Sequence, residues 1–291
     1  MIPQTGPGGR FTLPGTSIAL TRIGYGAMQL TGPQVWGPPK DRDAALAVLR
    51  EVVALGINHI DTSDYYGPHI ANELIREALQ PYPQDLVIVS KLGARRAPDK
   101  SWPHALSATD LTDGIHDNLR HLGLQALDVV NLRLGEPFGP TDASLREPLS
   151  VLIDLKRQGL IRHIGLSNIT PRQFAEAREM TDIVCVQNHY NLAHRRDDAF
   201  IDELAAQNVA FVPFFPLGGF RPVQSEALDA VAASLQATPR QVALAWLLQR
   251  SPNILLIAGT ASVAHLRDNV KAADLRVPPD AIAALNAIAE R

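Results

Sequence analysis

The chain has 291 residues, 46% hydrophobic and 20% charged, with 27 Lys and Arg against 30 Asp and Glu for a net charge of −3. This is a globular composition with ample core material, and the near-balanced charge gives no electrostatic case for nucleic acid or an anionic membrane. The single cysteine, Cys185, cannot form an internal disulfide, no run approaches the ~20 apolar residues of a membrane helix, and the start MIPQTGPGGR lacks a secretory h-region, so a cytoplasmic location is expected.

After a Gly- and Pro-rich start, FTLPGTSIAL reads as a β-hairpin turning at Pro14-Gly15. TRIGYGAMQL reads as a strand in which Gly24 and Gly26 mark close backbone approach, and LTGPQVWGPPK as a long loop over a site. Residues 43–55 have helical spacing, with Gly56 as the stop. Strand and helix then alternate: strand 57–62, helix 72–79, strand 86–91, a long loop, helix 111–122, strand 127–134 and helix 145–158. Strand 161–167 precedes a helix opened by Thr170-Pro171, an N-cap followed by proline. Strand 182–187, helix 198–207, strand 209–215 and helix 226–235 follow, then a helix from Thr238-Pro239 to 249, strand 253–259, helix 263–272 and a last helix from 279.

Eight strands alternating with at least eight helices, without a composition break, fit either a closed eightfold barrel or a doubly wound open sheet, in one domain over 1–291. An open sheet holds dinucleotides through G-x-G-x-x-G, but Gly24-Tyr25-Gly26 lacks the third glycine and there is no Walker lysine loop. The strand count favours the barrel, whose function gathers at the C-terminal ends of its strands.

Polar residues accumulate at those ends: Asp61, Lys91, Asn131 with Arg133, Ser167-Asn168, then Gln187-Asn188. Singly, each reads as ordinary solvent exposure; over consecutive strands that is less attractive, because Asn and Gln are depleted in strands. The stretch 56–67, GINHIDTSDYYG, is central. Asp61 leaves an apolar strand where its charge needs a partner, and Lys91 closes the next strand thirty residues on. On parallel neighbouring strands the two emerge side by side, with Tyr65 or Tyr66 above them. A phenol beside an ammonium held by a carboxylate is a general acid with a lowered pKa. The competing readings are a structural ion pair at Asp61–Lys91, a packing role for either tyrosine, a simple turn at Ser167-Asn168 and a core role for Phe214. His189 and His194, five apart in a loop, are a weak metal pair, and without His-x-His or Cys-x-x-Cys no metal site is expected.

DTSDYYG after a strand, a lysine closing the next one, and RHIGLSN, VQN and PLG further on resemble the aldo-keto reductase superfamily, in order from TRIGYGAMQL to LRDNV. GYGAMQL, VWGPPKDRDAALAVLRE, VVNLRL and FFPLGGF resemble a bacterial subgroup that includes pyridoxal reductases. The resemblance implies a TIM (β/α)8 barrel with an N-terminal β-hairpin that holds extended NADPH without a Rossmann domain. It implies Tyr66, five residues after Asp61, as proton donor to a small carbonyl substrate, with Lys91 depressing its pKa and Asp61 holding Lys91. Ser167, Asn168 and Gln187 match the residues that bind the nicotinamide carboxamide, and Phe214 the ring stacked on the nicotinamide. Leu217 and Gly218 would follow the pyrophosphate, and Gly259, Thr260, Ser262, His265, Asp268 and Asn269 would wrap the adenosine and its 2′-phosphate.

The chain departs from that pattern twice. Arg133 stands where the family carries a catalytic histidine; it stays charged, so it polarises a carbonyl or meets an anionic group such as a phenolate rather than donating as a neutral acid. The basic clamp for the 2′-phosphate is thin, with His265 where arginine is frequent and Arg267 and Lys271 nearby, so NADPH is expected with NADH possible. Trp36 and Phe220 lie on loops at the barrel mouth as substrate contacts. The resulting expectation is an NADPH-dependent reductase of a small aldehyde or ketone, pyridoxal among them. The alternatives are an NADPH-holding redox-sensing subunit with little turnover and a Schiff-base aldolase using Lys91. No protein partner is indicated.

Overall fold

The seam between the first and last barrel strands shows why this sheet closes. The computed structural model describes residues 6–136, 139–219 and 223–288. Seven parallel strands run in the order β3 (Tyr25–Gly26), β4 (His59–Asp61), β5 (Val87–Ala94), β7 (Leu127–Arg133), β8 (Ile161–Ser167), β9 (Ile183–Gln187) and β10 (Ala210–Phe211). Residues 254–256 lie between the two edges. Phe211 N donates to Asn253 O at 2.9 Å and Leu255 N to Phe211 O at 2.9 Å on one side; Gly24 N donates to Leu256 O and Leu256 N to Arg22 O, at 2.8 and 2.7 Å, on the other. Parallel bridges Phe211–Ile254 and Ile23–Leu256 close the circle. The fold is an α/β (β/α)8 barrel, which leaves no unpaired edge along this seam.

Here the strands expected over 253–259 and 209–215 shrink. The first consists of isolated bridges, because its backbone divides its bonds between two neighbours. The second keeps a ladder only at Ala210–Phe211 and a bridge from Phe214 to His189, then breaks where Phe215 takes φ +55°. The first expected strand likewise ends at Gly26 and passes into a 3₁₀ turn, Ala27–Leu30. A Cβ on Gly26 would sit 2.4 Å from Ile257 O, so the seam tolerates no side chain there.

A hairpin, β1 (Arg10–Thr12) with β2 (Ala19–Thr21), turns at Pro14-Gly15 as expected and sends Leu13 and Leu20 against Val89, Val129, Cys185, Val212 and Leu255. These inward residues fill the barrel beneath its polar rim, each large aliphatic stabilising by roughly 1.5–3 kcal/mol when fully buried. The long segment after Lys91 is less irregular than expected, because β5 runs on to Ala94 and pairs antiparallel with β6 (His104–Ala105).

The helices α1 (Arg42–Ala54), α2 (Ile70–Leu79), α3 (Ala108–Leu122), α4 (Arg146–Arg157), α5 (Pro171–Arg178), α6 (Asp198–Ala206), α7 (Glu226–Ser234), α8 (Pro239–Arg250), α9 (Val263–Val270) and α10 (Pro279–Asn286) follow the expected order. Their starts are set locally. Thr170 with Gln173 and Thr238 with Gln241 form capping boxes on α5 and α8, each with proline at the first helical position, and Asp41 and Ser107 cap α1 and α3. Such a cap contributes typically ~1 kcal/mol.

Candidate active site

The ladder register brings the rim together. Asp61 pairs with Val89 on β5, which puts Lys91 one inward step above; Lys91 pairs with Asn131, Arg133 with Ser167, and Ser167 with Gln187. Lys91 Nζ lies 2.6 Å from Asp61 Oδ1, with both side chains at most 5% exposed. Nζ also donates to Thr62 O at 2.8 Å, and Gln187 Nε2 donates to Asp61 Oδ2 at 2.8 Å. A buried carboxylate and ammonium tolerate desolvation only with such complete pairing.

The tyrosine loop is fastened to the same strand. Thr62 N donates to Val89 O at 2.8 Å, Ser63 Oγ to Lys91 O at 3.1 Å, and Tyr66 N to Ser63 O at 3.0 Å. Tyr66 is buried, its ring centroid 5.1 Å from Lys91 Nζ and edge-on to Tyr65 and Trp102 at 5.3 and 6.5 Å. Its phenol pKa is raised rather than lowered: burial dominates, the Asp61 carboxylate adds, and only Arg133 opposes. The expected depression by Lys91 is therefore corrected, because burial and the Asp61 carboxylate outweigh it. A phenol held in this way keeps its proton at neutral pH, and without further lowering of its pKa it is a weaker acid than a free phenol.

These groups open into a cavity of about 370 Å³, lined by the expected residues Asp61, Tyr66, Lys91, Arg133, Gln187, Phe214, Leu217 and Gly259. Arg133 sits over the Phe214 ring, 5.3 Å from guanidinium carbon to centroid, and His189 stacks on the same ring at 5.4 Å. Met28, Gln29, Trp102, His104 and Phe215 also line the cavity without having been expected there, as does Tyr65, expected as the alternative to Tyr66. Trp102 had one available signal, as a lone large aromatic in the polar run ARRAPDKSWPHA.

Other expected residues stand back from the cavity. Ser167 is buried with its Oγ unpartnered. Asn168, at φ +59°, donates its Nδ2 to the carbonyls of Leu134, Glu136 and Gly139, bracing the loop after β7 and leaving Oδ1 unpartnered. Gly218 and the segment carrying Thr260, Ser262, His265, Asp268 and Asn269 do not line it. Thr260 O accepts from Tyr25 Oη at 2.7 Å, Ser262 caps α9, His265 is exposed, and Asn269 is buried with Oδ1 unpartnered. Asp268 accepts from Gln241 Nε2 at 2.7 Å, so it is tied to α8, and Arg267 is paired with Glu51 at 2.7 Å. Trp36 does not line the cavity: the Arg96 guanidinium lies over its ring at 5.4 Å and over that of Trp102 at 3.9 Å, so Trp102 holds the wall and Trp36 backs it. Phe220 lies outside the described residues.

The family model of aldo/keto reductases matches residues 22–290. The chain belongs to the aldo/keto reductase family. It is 61% identical over 280 residues to a protein of Escherichia coli named pyridoxine 4-dehydrogenase, covering 96% of this chain and 97% of that one. It is 37% identical over 270 residues to an uncharacterized oxidoreductase of Schizosaccharomyces pombe, covering 92% and 87%. Among solved structures, a thermostable aldo-keto reductase crystallised with the inhibitor epalrestat superposes with TM-score 0.81 at 29% identity, covering 96% of this chain and 99% of that one. An aldo/keto reductase of Klebsiella pneumoniae bound to NADP and acetate superposes with TM-score 0.74 at 26% identity, covering 92% and 91%. As a member of this family the chain is an oxidoreductase that works with a nicotinamide cofactor.

The residues present fit such a cofactor. Gln187 Oε1 on the cavity wall and Ser167 Oγ beside it are buried polar atoms without a protein partner, as a carboxamide site requires. Phe214 supplies a flat apolar face on the same wall. No helix among the described residues is long and apolar enough to cross a membrane.

Proposed function

We propose that the chain is an NADPH-dependent reductase of a small aldehyde, with pyridoxal the leading substrate and Tyr66 the proton donor. The observation carrying this is the convergence of Tyr66, Lys91 and Asp61 on one cavity that Phe214 and Gln187 also line. The 61% identity to a pyridoxine 4-dehydrogenase supports the substrate, because pyridoxal becomes pyridoxine by gaining a hydride on its aldehyde carbon and a proton on the aldehyde oxygen.

Bound NADPH supplies a hydride from C4 of its nicotinamide. In this reading Ser167 Oγ and Gln187 Oε1 meet the carboxamide and Phe214 backs the ring. Asn168 acts one step removed, bracing the loop. Leu217 and Gly218 follow the pyrophosphate, and Gly259, Thr260, Ser262, His265 and Asn269 follow the adenosine, with Asp268 holding that segment to α8. Because Arg267 is engaged with Glu51, the 2′-phosphate relies on His265 and Lys271, which leaves a modest preference over NADH. Tyr66 gives its proton to the carbonyl oxygen, the Lys91 and Arg133 charges stabilise the developing oxyanion, and Arg133 meets the phenolate of pyridoxal. Nothing favours a silent NADPH-binding subunit. The ammonium of Lys91, engaged by Asp61 and the Thr62 carbonyl, is poorly placed for Schiff-base chemistry.

The test is Tyr66→Phe, read by NADPH oxidation with pyridoxal and by quenching of protein fluorescence on NADPH binding. Turnover is expected to fall by ~10²–10⁴-fold, the range for a lost general acid, with NADPH binding retained. Turnover near wild type would remove Tyr66 from its role.

A further inference from the structure

Outside the cavity, three metal-ligating side chains converge that the proposed reaction does not use. Asp64 lies in the loop after β4, His69 immediately precedes α2, and His121 is in the last turn of α3. Their sequence separations form no recognisable ligand pattern, and only the packing of α2 against α3 unites them. His69 Nδ1 is 2.6 Å from Asp64 Oδ2 and His121 Nδ1 is 2.8 Å from Asp64 Oδ1. One ligand atom from each residue lies within 4.8 Å of the other two, and the two imidazole centroids are 4.2 Å apart.

We propose that Asp64, His69 and His121 bind a divalent transition-metal ion of the zinc class, with water completing its coordination. Two imidazoles and a carboxylate are the donor set that favours zinc, cobalt or copper over magnesium or calcium. Around zinc, at ~2.0–2.2 Å per bond, tetrahedral ligand atoms stand roughly 3.3–3.5 Å apart. To reach that spacing the His–Asp contacts at 2.6 and 2.8 Å open by about 0.5–0.9 Å, and the widest ligand separation, within 4.8 Å, closes by up to ~1.5 Å, as the ion replaces the imidazole protons that now face the carboxylate.

The surroundings suit a built site. Asn72 Nδ2 donates to Asp64 Oδ1 at 3.1 Å and Asn72 Oδ1 accepts from Thr62 Oγ1 at 2.9 Å, an outer layer that holds the carboxylate in orientation. Asp64 and His121 have side-chain exposures of 9% and 13%, while His69 at 44% leaves a way in. An open depression lined by Glu73 and Glu77, with Arg76 and Arg120 balancing their charge, runs up to His121. Because His69 N donates to Asp64 O and Ala71 N to Tyr66 O, at 2.7 and 3.2 Å, an ion here pins the tyrosine-bearing loop to α3.

The experiment uses tag-free, full-length protein stripped with chelator and titrated with Co²⁺. Expected is the visible absorption of a four- or five-coordinate cobalt ion saturating at one per chain, displaced by Zn²⁺, with Zn²⁺ raising the melting temperature. Both signals should vanish in His69→Gln/His121→Gln whose circular dichroism matches wild type. Absorption no stronger than that of aqueous cobalt, or binding that survives both substitutions, overturns the proposal. Should the variant not fold, X-ray absorption of the zinc-loaded wild type decides: two imidazoles in a shell of about four N and O ligands support the site, and an all-oxygen six-ligand shell refutes it.

Discussion

Removing Asp61 tests the centre of the barrel rim. Its carboxylate answers Lys91 at 2.6 Å and accepts from Gln187 at 2.8 Å, and all three side chains are buried. At an effective dielectric of ~20 the attraction at that distance is about 6 kcal/mol gross. Most of it offsets desolvation, and stranding one partner of a buried pair costs about 3–5 kcal/mol net. With an unfolding entropy of ~2.1 cal/mol/K per residue over 291 residues, Asp61→Ala should lower the melting temperature by about 5–8 °C at pH 7. Adding Lys91→Met, which removes the stranded charge, should recover part of the stability. The assay is thermal denaturation by circular dichroism at pH 7 on wild type, single and double variants. A single variant melting within a degree of wild type, or a double variant no better than the single, would refute the reasoning.

Other consequences are as direct. In Arg133→Leu, loss of a charge-assisted bond worth about 1.5–3 kcal/mol should reduce the kcat/KM preference for pyridoxal over an aldehyde lacking the ring hydroxyl by ~10–150-fold; an unchanged ratio would separate Arg133 from the phenolate. His59 is pushed by burial from 6.5 to about 4, against partial support from Asp61. Its folded pKa is depressed, so its contribution is fully present above pH 6.5 and is lost toward pH 4, at up to ~1.4 kcal/mol per pH unit. His59→Asn should accordingly lose less stability than wild type between pH 7.5 and 5 in urea melts, and parallel losses would contradict this. Gly165→Ala places a methyl 2.1 Å from Asn131 Oδ1 and 2.5 Å from Cys185 Sγ, which should cost about 1–3 kcal/mol and show as a fall in melting temperature.

The order of helices and strands was written locally in the chain. Thr170-Pro171 and Thr238-Pro239 start their helices by satisfying backbone amides within three residues, and Gly123, at φ +67°, ends α3 as the cap chemistry demands. The polar residues at strand exits were equally legible, because period two fixes which side chains share a face once a strand is assigned. Asp61, Lys91, Arg133 and Gln187 could thus be named as one rim before any contact was known, whereas Phe214 entered only through the family resemblance. Barrel closure could not be read so directly, because residues 254–256 divide their hydrogen bonds between partners more than 40 and more than 200 positions away and never form a ladder of their own. The direction of the Tyr66 shift was also beyond the sequence. It depends on burial and on the Asp61 carboxylate acting on the phenol, which are distances in space. Trp102 and the Asp64–His69–His121 cluster have the same origin: their residues carry no shared spacing, and only the packing of loops and helices around the closed barrel makes them neighbours.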